Sequence, residues 1–263
     1  SYSREWVPNF TTTFNFNYKI YQTIPGRIEF IKTDGLGDTD RINKFNIFSP
    51  GINIVYTPGA KFLQGSERVR FLKGKLPRFN FTYVFSAKKL GSDFNFHKME
   101  LVIDERLPSP IGHTNIRLIG TKLFGSAPYP LLHIHSGNES FMYNKERFTN
   151  MLETEFIADQ QLTLMIEHHF DGFFFNKIPG WRKLGLREVF TTKMAVSSLD
   201  PKKVSFSDLP SDLKGLNGFY AEIGFGIENI LKLVRVDFSW RLTQKNQPDI
   251  KKFRWTLSFS PSF

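Results

Sequence analysis

Cysteine is absent from the 263 residues, which excludes disulfides, thiolate metal sites and a cysteine nucleophile. No stretch approaches the roughly 18 consecutive apolar residues of a membrane-spanning helix. The start, SYSREWVPNF, shows no charged segment followed by an apolar core, so no signal peptide is visible. Either the protein is not exported or its front is missing. Lys and Arg number 35 against 25 Asp and Glu, a formal net charge of +10. Yet the longest basic runs are pairs: Lys88 and Lys89, Arg182 and Lys183, Lys202 and Lys203, Lys251 and Lys252. A nucleic-acid footprint clusters its charge, so no nucleic-acid partner is expected, whereas basic residues spread near strand ends suit anionic lipid headgroups. Helical 3.6-residue periodicity is scarce, and there is no internal repeat or low-complexity segment.

What the chain does have is phenylalanine, 29 of them, with aromatic residues at 16% and charged residues at 23%. The mean hydropathy is only −0.29. The apolar residues fall at every second position, the signature of strands with two unlike faces. In TTTFNFNYKIY (11–21), Phe14, Phe16, Tyr18 and Ile20 alternate with Thr13, Asn15, Asn17 and Lys19. FNFTYVFS (79–86) and VRVDFSWRLT (234–243) repeat the pattern, as do INIVY (52–56), MELVID (99–104), NIRLI (115–119), LTLMIE (162–167) and AEIGFGI (221–227). The rows opposite the aromatics carry full charges: Glu100, Asp104, Arg117, Glu167, Glu222, Arg235, Asp237, Arg241 and Arg254.

Alternation alone also fits an aqueous sandwich, but aromatics at the ends of apolar rows and strands near 9–11 residues fit a membrane barrel, with apolar residues to lipid and polar residues to the lumen. The expected fold is therefore all-β, a transmembrane antiparallel up-and-down β-barrel of the outer-membrane type occupying residues 1–263. Expected lumen-lining residues are the nine charges above together with His169. They read either as cross-strand ion pairs filling a narrow barrel or as the lining of a selective pore. Short turns should alternate with long loops. TIPG (23–26), the stretch before Pro77, LPSPIGH (107–113), IPGWRKLG (178–185) and ENILKL (228–233) are the expected inner connections. TDGLGDTDRINKFN (33–46), KKLGSDFN (88–95), a largest loop over 124–159, the segment from Ser198 to Gly218 and TQKNQPDIKK (243–252) are the expected outer ones. About eleven strands result. Single-chain bacterial barrels normally have an even number, so either the chain is the C-terminal part of a larger barrel or one strand is miscounted.

The ending, RWTLSFSPSF, sets Trp255, Leu257, Phe259, Pro261 and Phe263 on one side and Arg254, Thr256 and three serines on the other. Outer-membrane proteins as a class resemble this: a terminal aromatic preceded by alternate apolar residues, read by the barrel-assembly machinery. Trp255, Leu257, Phe259 and Phe263 are the expected assembly signal and lipid-facing row; Pro261 departs from the usual run, although a proline is tolerable at a strand end. FSAKKLGSDFNFHKMELVI (85–103), LPSPIGHTNIRLIGTKLFGSAPYPLLHIHSGNES (107–140), residues 150–190 and YAEIGFGIENILKLVRVDFSWRL (220–242) are more specific. They resemble an uncharacterised family of Gram-negative outer-membrane barrels that follow a carboxypeptidase-regulatory-like domain. The resemblance implies a C-terminal barrel, an export signal and a small immunoglobulin-like module in front, the kind also found ahead of nutrient transporters that couple to TonB. It brings no catalytic residues, and the module's name does not imply peptidase chemistry.

His133 and His135 share a strand face, and Glu167 and His169 share another, but a metal site needs a third convergent donor and supporting hydrogen bonds. No metal, cofactor or catalytic residue is expected. Ser136, His135 and Glu139 are neighbours in sequence, which does not make a triad. Gly224 and Gly226 lack phosphate-loop spacing and suit a close inner contact or a sheet bend. The expected function is a non-enzymatic barrel in the outer membrane of a Gram-negative bacterium, acting in envelope transport or as a subunit of a larger complex. Its expected partners are outer-membrane lipid and lipopolysaccharide, the barrel-assembly machinery, and other outer-membrane proteins or surface lipoproteins. The alternatives are an outer-membrane-embedded hydrolase centred on His135 and His168, and a soluble lipid-binding β protein.

Overall fold

Eleven strands form one antiparallel sheet in which each strand pairs with its neighbour in sequence. They are β1 (Tyr2–Val7), β2 (Phe10–Gln22), β3 (Lys44–Tyr56), β4 (Arg78–Ser86), β5 (Phe96–Ser109), β6 (Gly112–Gly125), β7 (Gln160–His169), β8 (Arg187–Ser198), β9 (Gly218–Ile230), β10 (Val234–Arg241) and β11 (Phe253–Phe259). The structure is a computed structural model that describes residues 1–7, 9–23, 31–33, 39–59, 62–64, 69–71, 77–205, 209, 213–246 and 250–259, with backbone only for 31–33, 39–41, 62–64 and 69–71. Phe263 and Pro261 lie outside the described residues, as do most of TIPG, parts of the expected outer loops and much of the stretch before Pro77. Among the described residues β1 and β11 are the two edges of the sheet and do not pair with each other.

This meander follows from the period-two pattern. In β10, Arg235, Asp237, Ser239 and Arg241 are buried on one face while Trp240 is exposed on the other. Register carries the same division across the sheet, because Glu222 stands opposite Arg241 and Phe225 opposite Phe238. One face is thus polar and covered, the other apolar and open.

The connections divide between two ends. At one lie 8–9, 110–111 and 231–233, all short, but also 57–77 and 170–186. At the other lie 23–43, 87–95, 126–159, 199–217 and 242–252. We call these the turn end and the loop end. Two expectations are corrected here. Gln22 pairs with Lys44, so TIPG and the part of TDGLGDTDRINKFN up to Asn43 fall within the one connection between β2 and β3, and among the described residues no spanning strand separates them. The segment separating them is shorter than the 9–11 residues needed to span, and the strand that completes the eleven is Tyr2–Val7. IPGWRKLG is likewise only part of its connection, 170–186. Asp171 (φ 52) and Gly172 (φ 83) turn the chain out of β7, and two 3-10 turns, Phe175–Lys177 and Trp181–Leu184, follow. Short and long connections therefore do not strictly alternate.

Segment 126–159 folds back over the polar face. Its strands His133–Ile134 and Phe156–Ala158 form a small sheet with Lys214–Gly215. Two apolar clusters hold it. Ala127, Tyr129, Leu132 and Ile157 pack with Phe45, Ile47, Phe96 and Leu123 of β3, β5 and β6. Phe148, Met151 and Phe156 pack with Met165, Ala195 and Tyr220 of β7, β8 and β9. Burying each such large side chain contributes about 1.5–3 kcal/mol. The chain's largest loop is thereby made the core.

Candidate functional site: a loop clamped to the polar face

A loop lying against a sheet face buries backbone amides and carbonyls that helix or ladder bonds do not satisfy, and each must find a partner. Strands β9, β10 and β11 supply them from their polar rows. The Glu222 carboxylate accepts the backbone N–H groups of Thr149 and Asn150 at 2.8 and 2.9 Å and the Tyr220 hydroxyl at 2.7 Å. Arg254 donates to the carbonyls of Glu139 and Ser140, both at 2.9 Å, of Thr149 at 3.0 Å, and of Asn138. From β8, the Lys193 ammonium reaches the carbonyls of Asn144, at 3.0 Å, and Arg147. Arg241, 1% exposed or less, forms a two-pronged pair with Glu155 of the loop, at 2.6 and 2.9 Å. Its other donors go to the carbonyls of Asn150, Thr243 and Gln244. Charged sheet residues thus grip the loop largely through its main chain.

A second group gathers nearer the turn end. Arg235 bonds Asp237 through both carboxylate oxygens and Glu167 at 2.9 Å. His169 lies between Glu167, at 2.8 Å, and Glu228, at 3.2 Å. Tyr143, from the loop tip, donates its hydroxyl to Glu167 at 2.6 Å, with its ring under the Arg235 guanidinium and the Lys193 ammonium. Burial and the neighbouring carboxylates hold the Tyr143 phenol well above its ordinary pKa, so it stays a hydrogen-bond donor. Room for this group comes from Gly226: a Cβ there would sit 2.5 Å from an Asp237 carboxylate oxygen. Gly224 likewise faces the side chain of Thr191. Beneath the loop tip, two cavities of about 390 and 350 Å3 share Tyr143, Lys145 and Glu167 in their walls.

The loop also reaches the sheet's edge. The Leu257 N–H donates to the Phe141 carbonyl at 2.9 Å and the Tyr143 N–H to the Leu257 carbonyl at 2.7 Å. Residues 141–143 therefore add a short parallel rung to β11 at Met142 and Leu257.

Of the ten polar positions singled out in the sequence, Glu167, His169, Arg235 and Asp237 meet in one network, while Glu222, Arg241 and Arg254 hold the loop. Arg117 and Asp104 form a separate pair at 3.2 Å, with Glu146 of the loop as a third member. Glu100 stands apart, with a long contact of 3.5 Å from Thr121. Trp255 and Phe259 are 55% and 70% exposed on the opposite face, and Leu257 is half-buried there. Missed altogether were Glu155, Lys193, Tyr143 and Tyr220. Lys193 was legible, because TTKMAVSS alternates in the same way as the strands that were read. Tyr143 and Glu155 carry no periodic signal.

The histidines separate. His135 is buried and its Nε2 lies 3.1 Å from Ser197 Oγ at the loop end, whereas Nδ1 of His168 lies 2.8 Å from Thr114 Oγ1 at the turn end. Ser197 is opposite Gln161, and Gln161 to His168 is roughly 23 Å along β7 at the rise of a strand. They do not share a site. Among the described residues no group of three or more His, Asp or Glu is placed to hold a metal ion.

Comparison with solved structures shows the fold. The crystal structure of BamA from Haemophilus ducreyi lacking POTRA domains 1–3 matches with a TM-score of 0.60 over 98% of this chain, at 12% identity. BamA is an outer-membrane β-barrel, and the chain's meander is a barrel wall of that outer-membrane type. The chain spans about half of that structure, 52%. No curated protein matches. Residues 2–200 match the C-terminal domain of a family of unknown function, DUF5686, and the chain belongs to that family.

Proposed function

We propose that the protein is an integral outer-membrane β-barrel of a Gram-negative bacterium, without enzymatic activity, that serves as the barrel subunit of an envelope complex. One observation supports this above the others: the two faces of the sheet are opposite in chemistry. Trp240, Phe253, Trp255 and Phe259 stand exposed on one face, while Arg235, Asp237, Arg241 and Arg254 are buried on the other beneath the chain's own loop. In water the first face would be an unexplained apolar patch; against acyl chains it is the ordinary outer surface of a barrel. The clamped loop favours docking over free passage, since it fills the face along which solute would move, and envelope transport would require it to withdraw. In the full-length protein a small carboxypeptidase-regulatory-like domain precedes the barrel and the assembly machinery reads the final strand; lipopolysaccharide and surface lipoproteins complete the surroundings.

The experiment is quenching of tryptophan fluorescence by lipids brominated along their chains. In a Trp6→Phe, Trp181→Phe background, Trp240 and Trp255 are the reporters. Strong quenching in vesicles is expected. Emission indifferent to brominated lipid, with the chain dispersed in plain buffer, would leave the soluble lipid-binding reading in its place.

A further inference from the structure

One position breaks the outward row. Phe81, Leu101, Gly120, Leu162 and Val196 are consecutive cross-strand neighbours on β4 to β8, and Gly120 alone among them has no side chain. It floors a mostly apolar trough of about 480 Å3 lined by those residues and Met99, with Lys122, Gln160 and Ser198 at one end and, from the opposite rows, Glu100, Thr121, Gln161 and Ser197. The backbone does not demand this glycine. At Gly112, Gly137 and Gly226 an added Cβ would lie within 2.5 Å of a neighbouring atom; at Gly120 the nearest is a Leu162 methyl at 3.8 Å, an ordinary contact. Nor is Gly120 among the residues with positive φ. An alanine or a leucine would fit, so the gap is a property of the outer surface and not of the fold.

The next row towards the loop end is different in kind. Lys122 follows Gly120 on the same face of β6, between Met99 and Gln160 in register. Gln160 is tied to Ser198 at 2.8 Å. The Lys122 ammonium rests 5.2 Å from the centre of the Phe124 ring and pairs with no carboxylate among the described residues. A mostly apolar slot thus ends, about 7 Å along the strand, at an exposed cation that among the described residues has no counter-ion.

We propose that the trough seats one acyl chain of an anionic lipid in the leaflet at the loop end, with the lipid phosphate on Lys122. This rests on the outward face meeting lipid, as argued under the proposed function. The chain supplies Gly120 as floor and Leu101, Leu162 and Val196 as walls; Lys122 selects the charge of the headgroup. One lysine near a membrane surface favours an anionic over a neutral headgroup about five-fold.

The test uses the full chain in bilayer discs of phosphatidylcholine with a minor fraction of phosphatidylglycerol, followed by native mass spectrometry of the lipid that stays bound when the disc is dissolved. The wild-type chain is expected to retain one phosphatidylglycerol. Gly120→Leu, which fills the slot, should retain none above background, and Leu162→Trp, which fills it from the neighbouring strand, should do the same. Lys122→Ala should keep a lipid but lose the preference for phosphatidylglycerol about five-fold, and Lys122→Arg should restore it. Equal retention by wild type and both filled variants overturns the site while leaving the membrane reading intact. A wild-type chain that never enters the discs overturns both.

Discussion

At the scale of single residues, Arg241 and Glu155 form a two-pronged charge pair between sheet and loop. Both are buried, and the guanidinium spends its donors on one carboxylate and three carbonyls. Removing one member of a buried pair costs about 3–5 kcal/mol, because the other charge is stranded. Arg241→Ala should therefore lower stability against urea by about that amount, and Arg241→Lys should lose most of it too, since an ammonium cannot reproduce the planar fork. Adding Glu155→Gln to Arg241→Ala should recover part of the loss. A cost below about 1 kcal/mol for Arg241→Ala, the range of exposed pairs, would show that the clamp does not bear on stability. His135 sets a second, pH-dependent contribution. Burial lowers its pKa from 6.5 to about 4, and burial together with the charges of His135 and Lys98 lowers that of His133 to about 3. An unfolded loop takes up these protons from about pH 6.5 downward, the packed loop only near 4 and below, so acid favours unfolding. Loop stability is full above about 6.5 and falls as the pH drops from there towards 4. Hydrogen exchange of residues 131–136, corrected for intrinsic rates, should quicken through that window, His135→Phe should weaken the dependence, and His133→Phe with His135→Phe should flatten it; protection that is level from pH 7.5 to 4 in the wild-type chain would contradict it.

At the scale of elements, the loop 126–159 behaves as an insert held through its main chain, and this is a separable claim. Arg254 holds four of its carbonyls, so Arg254→Ala should speed amide exchange of residues 138–150 by about a hundred-fold, the equivalent of the two to three neutral hydrogen bonds' worth of local stability lost. Exchange in β9 and β10 should change little. Equal acceleration throughout the sheet would mean that loop and wall unfold together. The strands were legible in the sequence because one face is apolar and the other charged at every second residue, and register then follows with little freedom. Tyr2–Val7 escaped because Tyr2, Arg4 and Trp6 share the outward row: Arg4 lies over the Trp6 ring at 4.0 Å, a mixture that hides the alternation. The charges of the polar rows were found for the same reason the strands were, yet their partners were not. Glu222 and Arg254 bond loop backbone, which every residue carries, and nothing in 138–150 distinguishes the amides that will be gripped from those that will not.

At the scale of the whole molecule, the open edges decide how the sheet can exist in a membrane. Hydrocarbon offers no partner to a free N–H or C=O, each of which costs several kcal/mol if left alone. Along β11 the loop already satisfies Leu257, but among the described residues β1 has only β2 beside it, and its outward residues Tyr2 and Trp6 are 60% and 52% exposed. A chain whose outward face meets acyl chains must therefore have β1 paired in the bilayer, with β11 or with another strand. The amides of Tyr2–Val7 should then exchange, in vesicles, within about ten-fold of those of β2, whose two neighbours are both in place, since an edge paired on both sides is an interior strand. Protection that grows with the ratio of protein to lipid would identify the added strand as one from a second copy; protection independent of that ratio places the partner within one molecule. Amides of β1 that exchange as fast as those of an unstructured peptide, while the chain stays bound to vesicles, would mean that this edge sits in water, and the wall could not then be closed against lipid.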